Sequence, residues 1–254
     1  MEFKQFEQTI TQLFGKQLLS EFDDEYGFNN KTNHKITTIG YATNLSIEVI
    51  EMAAESDVDL IITHHDAWDF IYGLKEKCLE KLERYGIRHF WIHSPLDYIE
   101  FGTSTSLMNV LGVDHIETYS MFKNGRESPG IGKFDSRLPF HELVHRIKKE
   151  LSEPIRAWRN SHKDVEKVGV LTGAGHSSDH IKYALEEGCD TYITGEATLY
   201  TIQYAQFAGV NLLVGSHTFT EIYGVESLVK RVQEKNRDIR TIQLVEDHFE
   251  LGHL

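Results

Sequence analysis

Short apolar runs alternate with amphipathic stretches along most of the chain. The runs at 60–62, 90–92 and 212–214 are typical of buried strands, and the stretches between such runs carry apolar residues at helical spacing. The order strand, helix, strand, helix, strand, helix occurs in both halves of the chain. This alternation predicts an α/β fold.

One helix-then-strand segment occurs twice. Residues 46–63 align without gaps on residues 177–194, and the identical pairs are Ser46/Ser177, Ile50/Ile181, Ala53/Ala184, Glu55/Glu186, Asp59/Asp190, Ile62/Ile193 and Thr63/Thr194. We therefore expect two related α/β halves, 1–125 and 126–254. The alternative is that strands and helices resemble one another through physics alone, because α/β units share the same hydrophobic pattern.

Five polar side chains stand where predicted strands give way to loops. His64 and His65 end the run at 60–62, Asp97 follows the run at 90–92, and His217 and Glu221 follow the run at 212–214. Ligands collect at the carboxyl ends of strands in open α/β sheets. His217 and Glu221 are four residues apart, which places both on one face of a helix that begins there.

The donor types of these five residues suit metal ions. Imidazole and carboxylate groups bind Zn²⁺, Fe or Mn²⁺, and a carboxylate can bridge two cations. The set is therefore typical of a dinuclear centre with two divalent ions per chain. If the duplication is real, three ligands come from the first half and two from the second, and we expect the site in the cleft between the halves.

Two further residues are candidates for supporting roles. His93 follows the run at 90–92 and could orient a ligand through its second ring nitrogen, or simply pack at the strand end. Glu196 occupies the position in the second repeat that matches His65. It is a candidate general base or a partner of a ligand.

The segment from His141 to His145 offers a different metal motif. With Glu142 it matches the H-E-x-x-H pattern of zinc metallopeptidases, in which two histidines bind zinc and the glutamate activates water. Pro139 is best placed in the first turn of this helix, so His141 should lie near an exposed end. No third ligand is evident in the sequence, and the peptidase remains an alternative.

Charge and cysteine content indicate which partners and which cellular compartment to expect. A net charge of −13 argues against general affinity for nucleic acid. Cys78 and Cys189 are the only cysteines and have no paired spacing, which is typical of interior thiols in a reducing compartment. The acidic run 23–25 is interpreted as a solvated loop. Without a signal-peptide pattern or a membrane-length apolar segment, we expect a cytoplasmic protein.

Four segments in order resemble the NIF-three-like family, also called the GTP cyclohydrolase I type 2 homologues. They are residues 59–65, 93–97, 192–196 and 215–221, and their order and spacing match across nearly the whole chain. The resemblance implies two related α/β halves around a dinuclear metal centre and a ring-shaped homohexamer. It also places the metal ligands on His64, His65, Asp97, His217 and Glu221.

The chain departs from the family pattern close to these ligands. Asp66 stands where a proline is usual, Pro95 precedes Leu96 and Asp97 where asparagine is usual, and Tyr200 lies near a position that often holds histidine. The turn 173–176 ends in an unusual His176. These changes leave the five ligands in place, so the resemblance implies metal binding more firmly than a particular reaction.

Two hypotheses of function follow. The first is a metal-dependent hydrolase that acts on a small phosphorylated or nucleotide-like substrate, with two cations activating water. The second is a non-catalytic hexameric scaffold, in which the centre stabilises the assembly or passes metal to a partner. Neither hypothesis involves a membrane.

Overall fold

A computed structural model describes residues 1–30 and 34–251. The helices are α1 (Phe3–Glu21), α2 (Ile47–Glu55), α3 (Leu74–Tyr85), α4 (Ser94–Asp97), α5 (Thr103–Val110), α6 (Phe140–Leu151), α7 (Ser178–Glu186), α8 (Leu199–Ala208) and α9 (His217–Lys235). The strands are β1 (Tyr26–Asn29), β2 (Thr38–Asn44), β3 (Leu60–His65), β4 (Arg88–Ile92), β5 (His115–Thr118), β6 (Met121–Lys123), β7 (Arg126–Ser128), β8 (Gly130–Leu138), β9 (Arg156–Trp158), β10 (Val165–Leu171), β11 (Thr191–Thr194), β12 (Asn211–Val214) and β13 (Arg240–Gln243).

The chain forms two compact units. Unit 1 comprises Met1–Leu96 and Val225–Asp247, and unit 2 comprises Asp97–Gly224 with the segment that begins at His248. The predicted division was a single one, between residues 125 and 126, with Asp97 in the first half. Two pairings account for the difference: β13, near the C-terminus, pairs with β2 of unit 1, and β5, which precedes residue 126, pairs with β8 of unit 2. Such a long-range pairing leaves no local signal in the sequence.

Unit 1 is built on a five-stranded sheet in the order β1-β4-β3-β2-β13. The strands β4, β3, β2 and β13 are parallel, whereas β1 is antiparallel to β4. All six residues of β3 are buried, as expected for a strand covered on both faces. The connections β2-α2-β3 and β3-α3-β4 confirm the predicted α/β alternation. Cys78 packs in this core as a buried free thiol.

Unit 2 contains a six-stranded sheet in the order β5-β8-β10-β11-β12-β9. The central strands β10, β11 and β12 are parallel and are joined through α7 and α8, as predicted. The strands β8 and β9 are antiparallel to their neighbours, and β5 pairs antiparallel with β8. These antiparallel strands and the hairpin β6–β7 were not predicted. Cys189 is the second buried free thiol.

The two copies of the repeat have the same backbone structure. Ser46 and Ser177 are the N-cap residues of α2 and α7, and each side chain accepts a hydrogen bond from the first turn of its helix. The matched aspartates also make matching contacts. Asp59 accepts from the backbone amides of residues 37 and 38, and Asp190 accepts from those of residues 166 and 167.

Within the described part of the chain, no helix combines the length and the apolar character that crossing a membrane demands.

Candidate metal centre

Unit 1 gathers three histidines at the ends of neighbouring strands. His64 and His65 are the last residues of β3, and His93 directly follows β4. One ring nitrogen from each lies within 4.8 Å of the other two. The rings of His64 and His65 are buried and their centroids are 4.6 Å apart. This group could hold a metal ion.

Hydrogen bonds fix which nitrogen of each buried ring carries the proton. The Nδ1 atom of His64 lies 2.9 Å from the carbonyl oxygen of Ile92, which can only accept. The Nδ1 atom of His65 lies 2.8 Å from Oδ1 of Asn44, whose amide nitrogen donates to Glu246 at 2.8 Å. Both rings therefore carry the proton on Nδ1 and the lone pair on Nε2. Histidine ligands of metals are usually held in this way.

His93 is held by a carboxylate that the sequence analysis had set aside. Its Nδ1 atom lies 2.7 Å from Oε2 of Glu25. Asp23 and Asp24 are exposed, as expected for a solvated loop, but Glu25 is only partly exposed and contacts this ring. The interpretation of the run 23–25 as purely solvated was therefore wrong for Glu25.

Unit 2 brings together Asp97, His217 and Glu221. Asp97 ends α4, and the other two residues lie one turn apart on α9, as predicted. The Nε2 atom of His217 is 3.4 Å from Oε1 of Glu221, and oxygens of Asp97 and Glu221 lie within 4.8 Å of each other. Thr103 donates a hydrogen bond to Oδ1 of Asp97 at 2.8 Å.

The surroundings of His217 favour positive charge. Its Nδ1 atom lies 2.7 Å from Oε1 of Glu196, on the side of the ring opposite the contact with Glu221. Burial alone would lower the pKa of His217, but Glu221 and Glu196 outweigh it and raise the pKa to about 10. A group of carboxylates around one imidazole is the setting in which a divalent cation binds well.

Glu196 thus contacts the ring of a predicted ligand. Its other oxygen lies 3.3 Å from Nδ1 of His176, the unusual residue of the turn 173–176. This geometry fits the role of a partner that orients His217.

Two glycines leave room for the predicted ligands of unit 2, and neither role was predicted from the sequence. Gly173 has a φ of +61°, and a Cβ atom there would lie 2.9 Å from Nε2 of His217 and 2.8 Å from the carboxyl carbon of Glu221. A Cβ atom on Gly195 would lie 2.8 Å from the Cα atom of His217. The glycine-rich turn was visible in the sequence, but its neighbours were not.

The other three residues that depart from the family pattern lie in three different parts of the structure. Asp66 accepts from Asn29 at 2.8 Å and pairs with Lys75 at 3.2 Å, so it is held within unit 1. Pro95 is a buried residue of α4, whereas Tyr200 is exposed on α8.

The H-E-x-x-H segment lies on the outer side of α6. His141 and His145 are both exposed, and Glu142 pairs with Arg146 at 2.8 Å. His141 is the second residue of the helix, as the position of Pro139 predicted. Across residues 1–30 and 34–251, no group of three metal-binding side chains includes either histidine. The geometry offers the peptidase alternative no support.

Comparison with known structures shows the same fold in other proteins. Reduced HcgD from Methanocaldococcus jannaschii is 25% identical, covers 97% of this chain and 98% of its own, and superimposes with a TM-score of 0.78. The protein TTHA1606 from Thermus thermophilus is 20% identical, covers 98% of this chain and all of its own, and gives a TM-score of 0.81.

Sequence comparison identifies the family. A protein of Pyrococcus horikoshii described as a GTP cyclohydrolase 1 type 2 homolog is 27% identical over 218 residues, which cover 82% of this chain and 84% of the relative. The sequence profile of Duf34/NIF3, the NGG1p interacting factor 3 family, matches residues 1–248. With its α/β fold and its two groups of metal-binding side chains, the chain belongs to the Duf34/NIF3 family.

Proposed function

We propose that the chain holds two divalent metal ions and is a hydrolase of a small phosphorylated or nucleotide-like substrate. In this proposal His64 and His65 act together with Asp97, His217 and Glu221 as the ligands. The observation that carries it is the orientation of the histidines: the Nδ1 atoms of His64, His65 and His217 all face an acceptor, which leaves Nε2 of each ring as the nitrogen that can bind a metal, in His217 once a cation replaces its second proton.

The donor set fits Zn²⁺, Fe²⁺ or Mn²⁺. Bound cations of this type would supply Lewis acidity and make water more acidic. The protein's own part is to fix geometry. Asn44 and the carbonyl group of Ile92 hold the two histidines of unit 1, and Glu196 and Thr103 hold His217 and Asp97 in unit 2.

A homohexamer is part of the proposal and rests on the resemblance between the four sequence segments and the family. A cytoplasmic location is proposed as well, because unpaired cysteines are typical of a reducing compartment. Mass measurement of the purified protein in solution tests the assembly. A monomeric mass at micromolar concentration would contradict it.

The ligand assignment is tested by elemental analysis. Asp97→Ala and Glu221→Ala should each lose metal, because each removes a carboxylate that can bridge cations. Glu142→Gln is the matched control, because it changes the competing motif on α6 and should keep the full metal content. Two metals per chain in the Asp97 or Glu221 variant would refute the assignment.

The hydrolase is tested by activity. The protein loaded with Mn²⁺, Zn²⁺ or Fe²⁺ is screened against phosphoesters, nucleotides and cyclic amides. Turnover that disappears in the two ligand variants and persists in Glu142→Gln supports the enzyme.

A second candidate is the non-catalytic metal-binding scaffold. It is favoured by the contacts of Glu196, since both oxygens of this possible base face the imidazoles of His217 and His176. Full metal content with no turnover under any of the three metals supports the scaffold over the hydrolase.

A further inference from the structure

A cavity of about 330 Å³ lies beside the histidine group of unit 1. Five rings contribute to its wall: those of His65, Trp68, Phe70, Trp91 and His93. The volume is at the lower end of the range of ligand pockets and suits one or two small rings. The cavity belongs to unit 1 and shares only His65 with the five proposed ligands.

Three of the rings follow one another outward from His65. The centroids of His65 and Trp68 are 4.9 Å apart with the planes inclined by 40°, and those of Trp68 and Phe70 are 5.3 Å apart and stacked, with the planes inclined by only 27°. Phe70 is 71% exposed at the outer end. An exposed phenyl face at the end of a stack is a surface on which another planar ring can stack.

The same cavity is acidic. Among the residues that the structure describes, its wall contains four carboxylates, those of Asp24, Glu25, Asp66 and Asp69, and a single ammonium group. That ammonium belongs to Lys75, which lies 3.2 Å from Asp66 and 3.1 Å from Asp69. Negative charge is therefore in excess in the wall. Such a wall repels a phosphate or a carboxylate and attracts a cation.

Aromatic faces and excess carboxylates together define one kind of guest. A cation over an aromatic ring is attracted by the negative face of the ring, and nearby carboxylates add to that attraction. A planar cation also gains stacking area that a compact cation such as ammonium does not. A neutral ring gains only the stacking, and a ring that bears an anion is repelled.

We infer that this cavity binds a planar aromatic ring that bears a positive charge on the ring or directly beside it, such as a protonated nitrogen heterocycle or an arylmethylammonium group. Its assignment as the recognition end of a substrate that reacts at the metal centre rests on the proposed function. The binding of the ring itself depends only on residues of unit 1.

The test uses three probes that share one ring and differ in charge. Metal-free protein is titrated with benzylammonium, benzyl alcohol and benzoate, and binding is followed by saturation-transfer NMR. Benzylammonium should bind about three- to tenfold more tightly than benzyl alcohol, since a cation–π contact contributes roughly 0.5–1 kcal/mol or more. Benzoate should bind most weakly. Equal affinities, or tighter binding of benzoate, would overturn the inference.

Variants locate the binding. Phe70→Ala should weaken all three probes, and Asp24→Asn should weaken benzylammonium alone. Phe207→Ala is the matched control, because Phe207 is also an exposed phenylalanine, at 87%, but lies on α8 in unit 2. Both phenylalanines are exposed, so neither change should prevent folding. Unchanged binding in Phe70→Ala, with a changed mass in solution, would assign this ring to subunit contact instead.

The two proposals fail separately. Because the titration is done without metal, loss of metal sites in elemental analysis leaves the ring binding untouched. Conversely, metal binding with no preference for benzylammonium would overturn the cavity assignment and leave the metal centre intact.

Discussion

The two copies of the repeat have the same backbone pairing and end in different side chains. In unit 1, Ala42 pairs with Thr63, and in unit 2 Leu171 pairs with Thr194. Counting two residues onward on each strand, Asn44 and His65 of unit 1 correspond to Gly173 and Glu196 of unit 2. The two strand ends are equivalent in position, but their side chains have different proposed roles.

In unit 1 the strand end itself supplies a proposed ligand. His65 would provide the donor atom, and Asn44 on the adjacent strand fixes the orientation of its ring at 2.8 Å. In unit 2 the same two positions lie beside the proposed ligands on α9. Gly173 has no side chain where His217 and Glu221 lie, and Glu196 holds the ring of His217 at 2.7 Å.

The comparison shows that one backbone unit can be used in two ways. The connecting helix, its serine cap and the aspartate before the strand are kept in both copies, because they determine the fold. The residues at the strand ends differ between the copies although the backbone pairing is the same. Substitutions at equivalent positions of the two copies should therefore have different effects on metal binding.

The largest expected effect is on metal affinity, at the matched pair His65 and Glu196. His65→Ala removes a proposed ligand, and we expect metal affinity to fall more than 100-fold. Glu196→Ala removes a supporting hydrogen bond, for which a loss of about 10- to 100-fold is typical. Competition with a chromophoric chelator measures both constants. A larger loss in Glu196→Ala than in His65→Ala would reverse the comparison.

The next effect concerns the matched pair Asn44 and Gly173. Gly173→Ala places a methyl group against Glu221 and His217 and also strains a residue with φ of +61°. We expect a destabilisation of about 2–3 kcal/mol, together with a loss of metal binding. Gly188→Ala is the matched control. Its φ is +82° with no atom within 4 Å of the new Cβ, so only the backbone cost of about 1–2 kcal/mol should remain.

Urea unfolding of metal-free protein separates the two contributions. If Gly173→Ala and Gly188→Ala cost the same free energy and both bind metal normally, the close approach of Gly173 to the ligands has no consequence. Our interpretation that a glycine is needed at position 173 to leave room for His217 and Glu221 would then be wrong.

The sequence was sufficient to nominate the candidate ligands because their signal is local, and their assignment as ligands stays a prediction. A histidine pair at the end of an apolar run, and a histidine and glutamate one turn apart, are visible without the fold. The α/β alternation and the repeat have the same local character. For this reason the arrangement of β2-α2-β3 and of β10-α7-β11 was predicted correctly.

The supporting residues were beyond such reasoning because tertiary contacts bring them to the site. Asn44 reaches His65 through strand pairing across 21 residues, and Glu246 reaches Asn44 across 202. Gly173 reads in the sequence as an ordinary turn glycine. The boundaries of unit 1 differ from the predicted ones for the same reason, since the pairings of β13 with β2 and of β5 with β8 are visible only in the fold.

A smaller effect, on the free energy of unfolding, is expected at the aspartate that both copies of the repeat share. Asp59 accepts from the amides of residues 37 and 38 at 2.7 and 2.9 Å, whereas Asp190 accepts at 2.8 and 3.3 Å. Asp59→Asn should therefore cost about 1–2 kcal/mol in free energy of unfolding, and Asp190→Asn somewhat less. Equal or reversed costs would show that the shorter contacts of Asp59 do not matter.

The Asp59 carboxylate should also leave a signature in the pH dependence. Burial raises the pKa of Asp59, but hydrogen bonds from Thr37 and Thr38 and the charge of Arg88 outweigh it, so the pKa lies below its usual value. A lowered pKa means that the folded state binds the proton less readily than the unfolded state. The stabilisation is complete above pH about 4 and is lost as the pH falls through the folded-state pKa. Metal-free Asp59→Asn should lack this part of the acid profile.

The smallest expected effect is on metal affinity, at Glu246, which contacts Asn44 and through it supports His65. Its Oε1 atom accepts from the side-chain amide of Asn44 at 2.8 Å, and its Oε2 atom accepts from the backbone amide of Thr43 at 2.6 Å. Glu246→Gln replaces one acceptor by an amide group that faces another donor, so one of the two bonds must break. Asn44 would then hold the ring of His65 less firmly.

We expect metal affinity of Glu246→Gln to fall by about tenfold, at the low end of the range for residues behind a ligand. The d–d absorption of Co²⁺-loaded protein should change as well, because the orientation of one imidazole becomes less fixed. Glu234→Gln is the matched control, since it makes the same change at an exposed position of α9 in the same unit. If both variants bind Co²⁺ with the same affinity and spectrum, Glu246 contributes to the fold of unit 1 alone, and the support of His65 ends at Asn44.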